Sequence, residues 1–343
     1  MPTQGLLLVA LSAAFSFLVC RNAAAIGTRF GLLDFPDPDG GRKQHAAVTP
    51  LVGGLAVVGA TLLAAAGLAL MPDPGIDRSM LLWFIATVVG MFIIGASDDR
   101  FGLTAPTRLA AASAILLTAI AKVPDFSVSF LLFAGQGELV LLPGYAGIAF
   151  TLLCFVGFLN AVNMADGKNG LVLGQAMIWA AILYLRLPAA MSPLILAIGA
   201  ALAITFVFNM RGKLFLGDGG SYGLSAMFGL LAIYAWNHGF ADMRADDIAL
   251  IFAVPVFDTL RLILQRSLQK KSPFTPGRDH LHHYLYTRWG WPKPLPWVLA
   301  LVAIPNFAAV MTPGTGLIWL GLTLVGYGAL LWAATIEPRR RTA

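Results

Sequence analysis

The chain has 343 residues, 58% of them apolar and only 12% charged, with a net charge of +6 and a mean hydropathy of +0.78. A soluble domain carries about 25% charged residues, so an ordinary soluble enzyme, a disordered chain and a coiled coil are excluded. Continuous apolar runs of roughly 17–25 residues point to an integral membrane protein built of helices. Its positive balance suits anionic lipid surfaces and inner loops, so membrane lipids are expected as partners and nucleic acid is not.

Eleven spans are predicted, near 4–22, 51–70, 80–96, 106–121, 145–163, 170–186, 189–208, 221–240, 247–267, 295–311 and 315–335. Met1–Gln4 carries no Lys or Arg, so the first run reads as an uncleaved anchor with its N-terminus outside, not a signal peptide. Eleven crossings put the C-terminus in the cytosol. Counting those at the ends of spans, seventeen of the 23 Lys and Arg then lie on the inner side and four on the outer, as the positive-inside bias requires. In the outer loop 122–144, Phe126–Phe133 and Leu139–Leu142 flank a Gly-containing turn and predict a small periplasmic β-hairpin near 126–142. Cys20 and Cys154 fall in apolar runs and read as buried thiols. The fold class is an all-α integral membrane protein, with residues 1–343 forming one polytopic domain.

Polar groups near a bilayer are costly and mark function. Adjacent Asp98 and Asp99 repel each other, and a hard divalent cation such as Mg²⁺ would hold both ionised; the plainer reading makes them a cap on the fourth span. Asn160 and Asn163 share a helix face. Asp166-Gly167-Lys168-Asn169-Gly170 then breaks the helix, in a turn able to present backbone N–H groups and carboxamides to a nucleotide. An ordinary helix stop is the alternative.

Asn209 precedes a second Gly-rich stretch, in which Asp218 stands just before the eighth span. A helix N-terminus there can face a phosphate, with Asp218 on the bridging metal; an N-cap role for Asp218 is compatible with this. Arg278, His280, His282 and His283 gather three of the five histidines, and suit a pyrophosphate better than zinc. Lys43 and His45, before Gly53-Gly54, could meet phosphate or a headgroup, although the positive-inside rule alone explains them. Asp258 and Arg261, after Pro255, read as a structural ion pair at a kink. All of these face one side, and together they indicate phosphoryl transfer from a soluble nucleotide to a membrane lipid.

Four of these motifs, in order, resemble the polyprenyl-phosphate N-acetylhexosamine-1-phosphate transferase family, in its bacterial N-acetylglucosaminyl branch. They are Asp98-Asp99-x-x-Gly-Leu, Asn160-x-x-Asn163-x-x-Asp166-Gly167-x-x-Gly-Leu, Phe215-Leu-Gly-Asp218-x-Gly-Ser and Arg278-x-His280-Leu-His282-His283. The resemblance implies a Mg²⁺ enzyme (Mn²⁺ as a substitute) of the bacterial inner membrane, with a cytoplasmic active site and the homodimeric state left open. Undecaprenyl phosphate would attack the β-phosphorus of a UDP-N-acetylhexosamine, releasing UMP. Asp218 would be the principal metal ligand, with Asp98 and Asp99 beside it. Asn163 and Asp166 would line the nucleotide site with Asn209 nearby, and Arg278 and the three histidines would approach the donor's phosphates and sugar.

This sequence departs from the family at Lys168-Asn169 and at Gly277, where acidic residues are expected. It lacks the proline before the histidines that marks the muramyl-pentapeptide branch, which favours UDP-GlcNAc and leaves UDP-deoxy-N-acetylhexosamines open. An intramembrane aspartyl protease using Asp218 and Asp98 is the competing class, but it would leave the histidines idle. A transporter would place its charges near mid-membrane.

Overall fold

The computed structural model describes residues 3–36, 47–135, 137–239, 243–272 and 277–336. Lys43 and His45 lie outside the described residues. In chain order the helices are α1 (Thr3–Arg21), α2 (Ala23–Phe30), α3 (Gly53–Ala69), α4 (Arg78–Phe101), α5 (Ala105–Lys122), α6 (Tyr145–Ala165), α7 (Leu171–Arg186), α8 (Ser192–Met210), α9 (Gly217–Gly239), α10 (Ala245–Ile251), α11 (Ala253–Leu268), α12 (Leu281–Trp289), α13 (Leu295–Met311) and α14 (Gly316–Thr335). Each predicted apolar stretch falls on this set. By length and composition α1, α4, α6, α14 and α8 with the turn before it can cross a membrane, and α3, α7 and α13 are shorter apolar helices. The protein is a predominantly helical multi-pass membrane protein. Large side chains such as Leu153, Trp297, Val325 and Trp332 stand exposed, an apolar surface suited to lipid.

Three features depart from the sequence reading. The ninth stretch is two helices, α10 and α11, separated at Phe252. Pro255 has no N–H for the carbonyl of Ile251 and its ring crowds that carbonyl, which favours a break at this point. Asp98 and Asp99 belong to the last turn of α4 and do not cap α5, whose N-cap is Thr104, bonded through its hydroxyl to the N–H of Thr107. Cys20 is buried, but Cys154 is exposed on α6.

Two short antiparallel pairs complete the chain. Strand β1 (Leu33–Asp34) pairs with β2 (Thr49–Pro50), and β3 (Phe130–Leu131) pairs with β4 (Val140–Leu141).

Helix α9 is the axis of the fold, buried along nearly its whole length and packed by α4, α3, α6 and α7. Its N-terminal half is rich in Gly and Ser, and small residues let helices approach closely in an apolar medium. At the seam with α4, a Cβ on Gly95 would strike the Asp218 carbonyl, and only glycine fits there. The strand-like entry to α9 docks on α3: Gly53 and Gly54 donate their N–H groups to Phe215 and Leu216 (both 2.9 Å), and Phe215 donates to Pro50 (2.8 Å). The first residues of α9 are thus fixed from two sides.

Candidate active site

The acidic cluster forms where α4, α5, α6 and α9 meet. Asp99 spans the α9 N-terminus, accepting the N–H of Asp218 on Oδ1 and of Gly219 on Oδ2, each at 3.0 Å. These donors have no partner within their own helix, so Asp99 acts as a cap supplied by another helix. Asp98 pairs with Arg108 of α5, whose same nitrogen lies 3.8 Å from Asp218 Oδ2. Asn163, at the end of α6, donates from its amide to Asp218 Oδ1 (2.7 Å) and to the Ser221 hydroxyl (3.0 Å). One oxygen of Asp218 is therefore held by Asn163 while Oδ2 faces Arg108. The Asp218 side chain is 37% exposed and that of Asp98 only 8%, so Asp218 is the carboxylate open to a ligand.

The turn after α6 joins this cluster to the histidines. Asp166 ends α6, and burial together with the charge of Asp99 pushes its carboxyl up to about 7. A Cβ on Gly167 would collide with the His282 ring. Gly170, with φ of 79°, starts α7 and donates its N–H to Asn209 Oδ1 (2.6 Å), while Asn209 Nδ2 donates to the carbonyl of Leu214 (3.0 Å). Asn209 is buried and ties the 166–170 turn to the entry of α9. Lys168 lies over the Tyr286 ring at 3.7 Å, and burial and the nearby Arg278 lower its pKa.

His280 and His282 are buried and their rings stack at 5.4 Å and 9°; His283 lies 4.2 Å from His282 between ring centres. Burial, with His283 and His280 beside it, holds His282 well below the usual histidine range, so it is neutral near pH 7. Its Nε2 is buried with no hydrogen-bond partner and abuts Gly167. A buried, unsatisfied imidazole nitrogen is costly unless a ligand completes it.

The predicted residues Asp98, Asp99, Asn163, Asp166, Gly167, Asp218, His280, His282 and His283 thus form one chain of neighbours. Arg278 is exposed beside Lys168. Asn160 lies apart from the cluster in its contacts, because its amide bonds back to the Val156 carbonyl of its own helix (2.8 Å).

Sequence reasoning missed Arg108, which it counted only as an inner-loop charge. An arginine one turn into a helix, just across a tight Gly102 turn from two aspartates, was the available clue. It also missed that Asp258, paired with Arg261 as expected (2.8 Å), bonds His280 Nδ1 (2.8 Å) and the Tyr327 hydroxyl (2.7 Å).

Three carboxylates and the Asn163 amide are hard oxygen donors of the kind Mg²⁺ selects, so the chemistry of the set fits that ion. Among the described residues, however, no three His, Cys, Asp or Glu side chains stand close enough to ligate one metal. Arg108 supplies the positive charge between Asp98 and Asp218.

A polytopic helical membrane protein with carboxylates, amides and imidazoles gathered at one end of its helices is the class that this fold and site define. The chain belongs to glycosyl transferase family 4, which its residues 81–236 match, and the relatives are polyprenyl-phosphate N-acetylglucosaminyl-1-phosphate transferases by name. It is 32% identical over 319 residues to the decaprenyl-phosphate N-acetylglucosaminephosphotransferase of Mycolicibacterium smegmatis, covering 83% of this chain and 76% of that protein. It is 31% identical over 326 residues to the undecaprenyl-phosphate alpha-N-acetylglucosaminyl 1-phosphate transferase of Salmonella typhi, covering 89% and 83%. A probable undecaprenyl-phosphate N-acetylglucosaminyl 1-phosphate transferase of Bacillus subtilis is 30% identical over 275 residues, covering 76% and 71%.

Proposed function

We propose that this protein transfers N-acetylglucosamine 1-phosphate from UDP-GlcNAc to undecaprenyl phosphate. An oxygen of the lipid phosphate attacks the β-phosphorus of the donor, the bond from that phosphorus to the bridging oxygen breaks, and UMP leaves. One pyrophosphate linkage replaces another, so catalysis is a matter of alignment and charge neutralisation. The relatives' names support the acceptor and the sugar phosphate. The observation that carries the reading is the part-exposed Asp218 carboxylate, fixed by Asn163 on one oxygen, facing Arg108 with the other, and joined through the 166–167 turn to the unsatisfied His282.

Asp99 holds the α9 start, so that Asp218 presents the same oxygen at each turnover. Arg108 offers a guanidinium for the acceptor phosphate between Asp98 and Asp218. His282 Nε2 supplies a polar contact for the donor's phosphates, and Asp166 and the backbone of Gly167 border the nucleotide. Mg²⁺ or Mn²⁺ would be held by Asp218 with Asp98 and Asp99 beside it, and would neutralise pyrophosphate charge. Family membership leaves the aspartyl protease reading without support.

The motifs lie at one end of the helices, and the loops at that end carry most of the Lys and Arg. This supports eleven crossings, an N-terminus outside and an active site facing the cytoplasm of a bacterial inner membrane. The strand pair β3–β4 then lies on the periplasmic side.

Membranes containing the protein, supplied with undecaprenyl phosphate and a panel of labelled UDP-sugars, test the reaction. UMP release dependent on both the lipid and UDP-GlcNAc is the expected result. Release with another UDP-sugar alone would replace the donor, and no lipid-dependent release with any of them would defeat the class.

A further inference from the structure

Asp258, Arg261 and Gln265 form a polar line along helix α11, interleaved with Leu260, Leu262, Ile263 and Leu264. Such groups in a membrane protein must be matched or they are expensive. Here they are matched in an unusual direction. Asp258 Oδ1 accepts from Arg261 (2.8 Å), from the Tyr327 hydroxyl of α14 (2.7 Å) and from the backbone N–H of Leu281 (3.1 Å), while Oδ2 meets His280 Nδ1 (2.8 Å). Arg261 also bonds the Tyr327 hydroxyl through Nε (2.8 Å), Gln265 (3.1 Å) and the carbonyl of Asp279.

If the purpose were only to join α11 to α14, the Asp258–Arg261–Tyr327 triangle would suffice. The remaining bonds instead grip three consecutive residues, Asp279, His280 and Leu281, at the start of α12. Leu281 is the first residue of that helix and its N–H has no partner within it. An ionised carboxylate only accepts, so His280 carries its proton on Nδ1, and its ring plane is fixed. That plane lies 9° from the plane of His282, whose Nε2 is the unsatisfied group against Gly167.

We propose that Asp258, seconded by Tyr327, is a positioning residue for the sugar-phosphate transfer. It fixes the tautomer and orientation of His280, and through ring stacking the placement of His282 toward the donor. The inference rests on the transfer reaction proposed above. It places a determinant of donor use in α11 and α14, outside the four motifs.

A double-mutant cycle in the UMP-release assay tests it, because two groups acting as one unit lose activity non-additively. Asp258→Asn is expected to lower kcat/KM for UDP-GlcNAc tenfold or more, with KM for undecaprenyl phosphate within twofold of the parent. The Asp258→Asn/His280→Ala pair is expected to be no worse than His280→Ala alone. Losses that multiply in the pair, or an equal loss toward the lipid, overturn the proposal. If Asp258→Asn does not accumulate in membranes, Tyr327→Phe carries the test with an expected three- to tenfold loss confined to the donor; parental kinetics for it overturn the proposal. A parent protein that releases no UMP counts against the transferase reading instead, so the two failures are distinct.

Discussion

The carboxylate of Asp99 and the backbone of Asp218 form a cap across two helices: one oxygen takes the N–H of Asp218, the other that of Gly219, both at 3.0 Å. Asp258 does the same for α12, taking the N–H of Leu281 at 3.1 Å. Two of the helices that carry candidate active-site groups, α9 and α12, are therefore started by an aspartate borrowed from another element. The geometry of Asp218 depends on α4 as much as on α9.

Replacing Asp99 with Ala strands two backbone donors at the start of α9. Unsatisfied buried donors cost about 1–3 kcal/mol, so the expected result is a lower thermal midpoint in detergent together with reduced turnover. Asp99→Asn, which keeps one acceptor, should fall between. An unchanged midpoint for the Ala variant would show that the cap is not holding α9.

Asp218→Asn leaves size and the Asn163 contact largely in place but removes the charge from the open oxygen. We expect turnover to fall by about three orders of magnitude, in the range seen when a group stabilising transition-state charge is lost, with membrane insertion unchanged. Retained activity with Mg²⁺ as the sole metal would reject the metal assignment. Mg²⁺ should also raise the thermal midpoint of the parent more than that of the variant, a readout independent of catalysis.

His282→Ala should raise KM for the UDP-sugar more than KM for the lipid phosphate. Gly167→Ala should act in the same direction from the opposite side, because the new methyl displaces the His282 ring. Initial-rate measurements varying each substrate separately decide this, and equal effects on both substrates would remove His282 from the donor side.

Asp166 gives a pH dependence of stability with a definite sign. Its carboxyl is raised from an ordinary value near 4 to about 7 in the folded protein, chiefly by burial and then by Asp99. The folded state therefore binds the proton more tightly than the unfolded one. The contribution is complete below about pH 4 and is lost as pH rises through about 7. Thermal midpoints measured from pH 4 to 8 should fall less steeply for Asp166→Asn than for the parent; parallel curves would show that Asp166 is not the group responsible.

Much of this was legible in the sequence because the bilayer makes polar residues conspicuous. Asp98-Asp99, Asn163, Asp166, Asp218 and the histidines stand out against apolar runs, and the runs themselves located the helices. What did not show was partnership. Arg108 looked like one more inner-side charge, since the tight Gly102 turn hints that α5 folds back toward Asp98 but nothing local brings in Asp218 from α9. Tyr327 lies in an apolar helix that contains no motif, and its hydroxyl has meaning only once α14 lies against α11. Asn160 and Asn163 occupy one helix face by spacing, yet Asn160 satisfies its amide on its own backbone, a local choice that periodicity does not reveal. The break at Phe252 was encoded by Pro255, but an apolar run conceals a discontinuity that a hydrogen-bond count exposes.

The bond from Tyr327 to Asp258 also bears on the order in which the protein becomes competent. Every family motif leaves the ribosome before α14 does, so a nascent chain carries its full set of candidate catalytic side chains while the histidine segment still lacks its last anchor. Full use of the donor would then wait for α14 to insert and supply the Tyr327 hydroxyl.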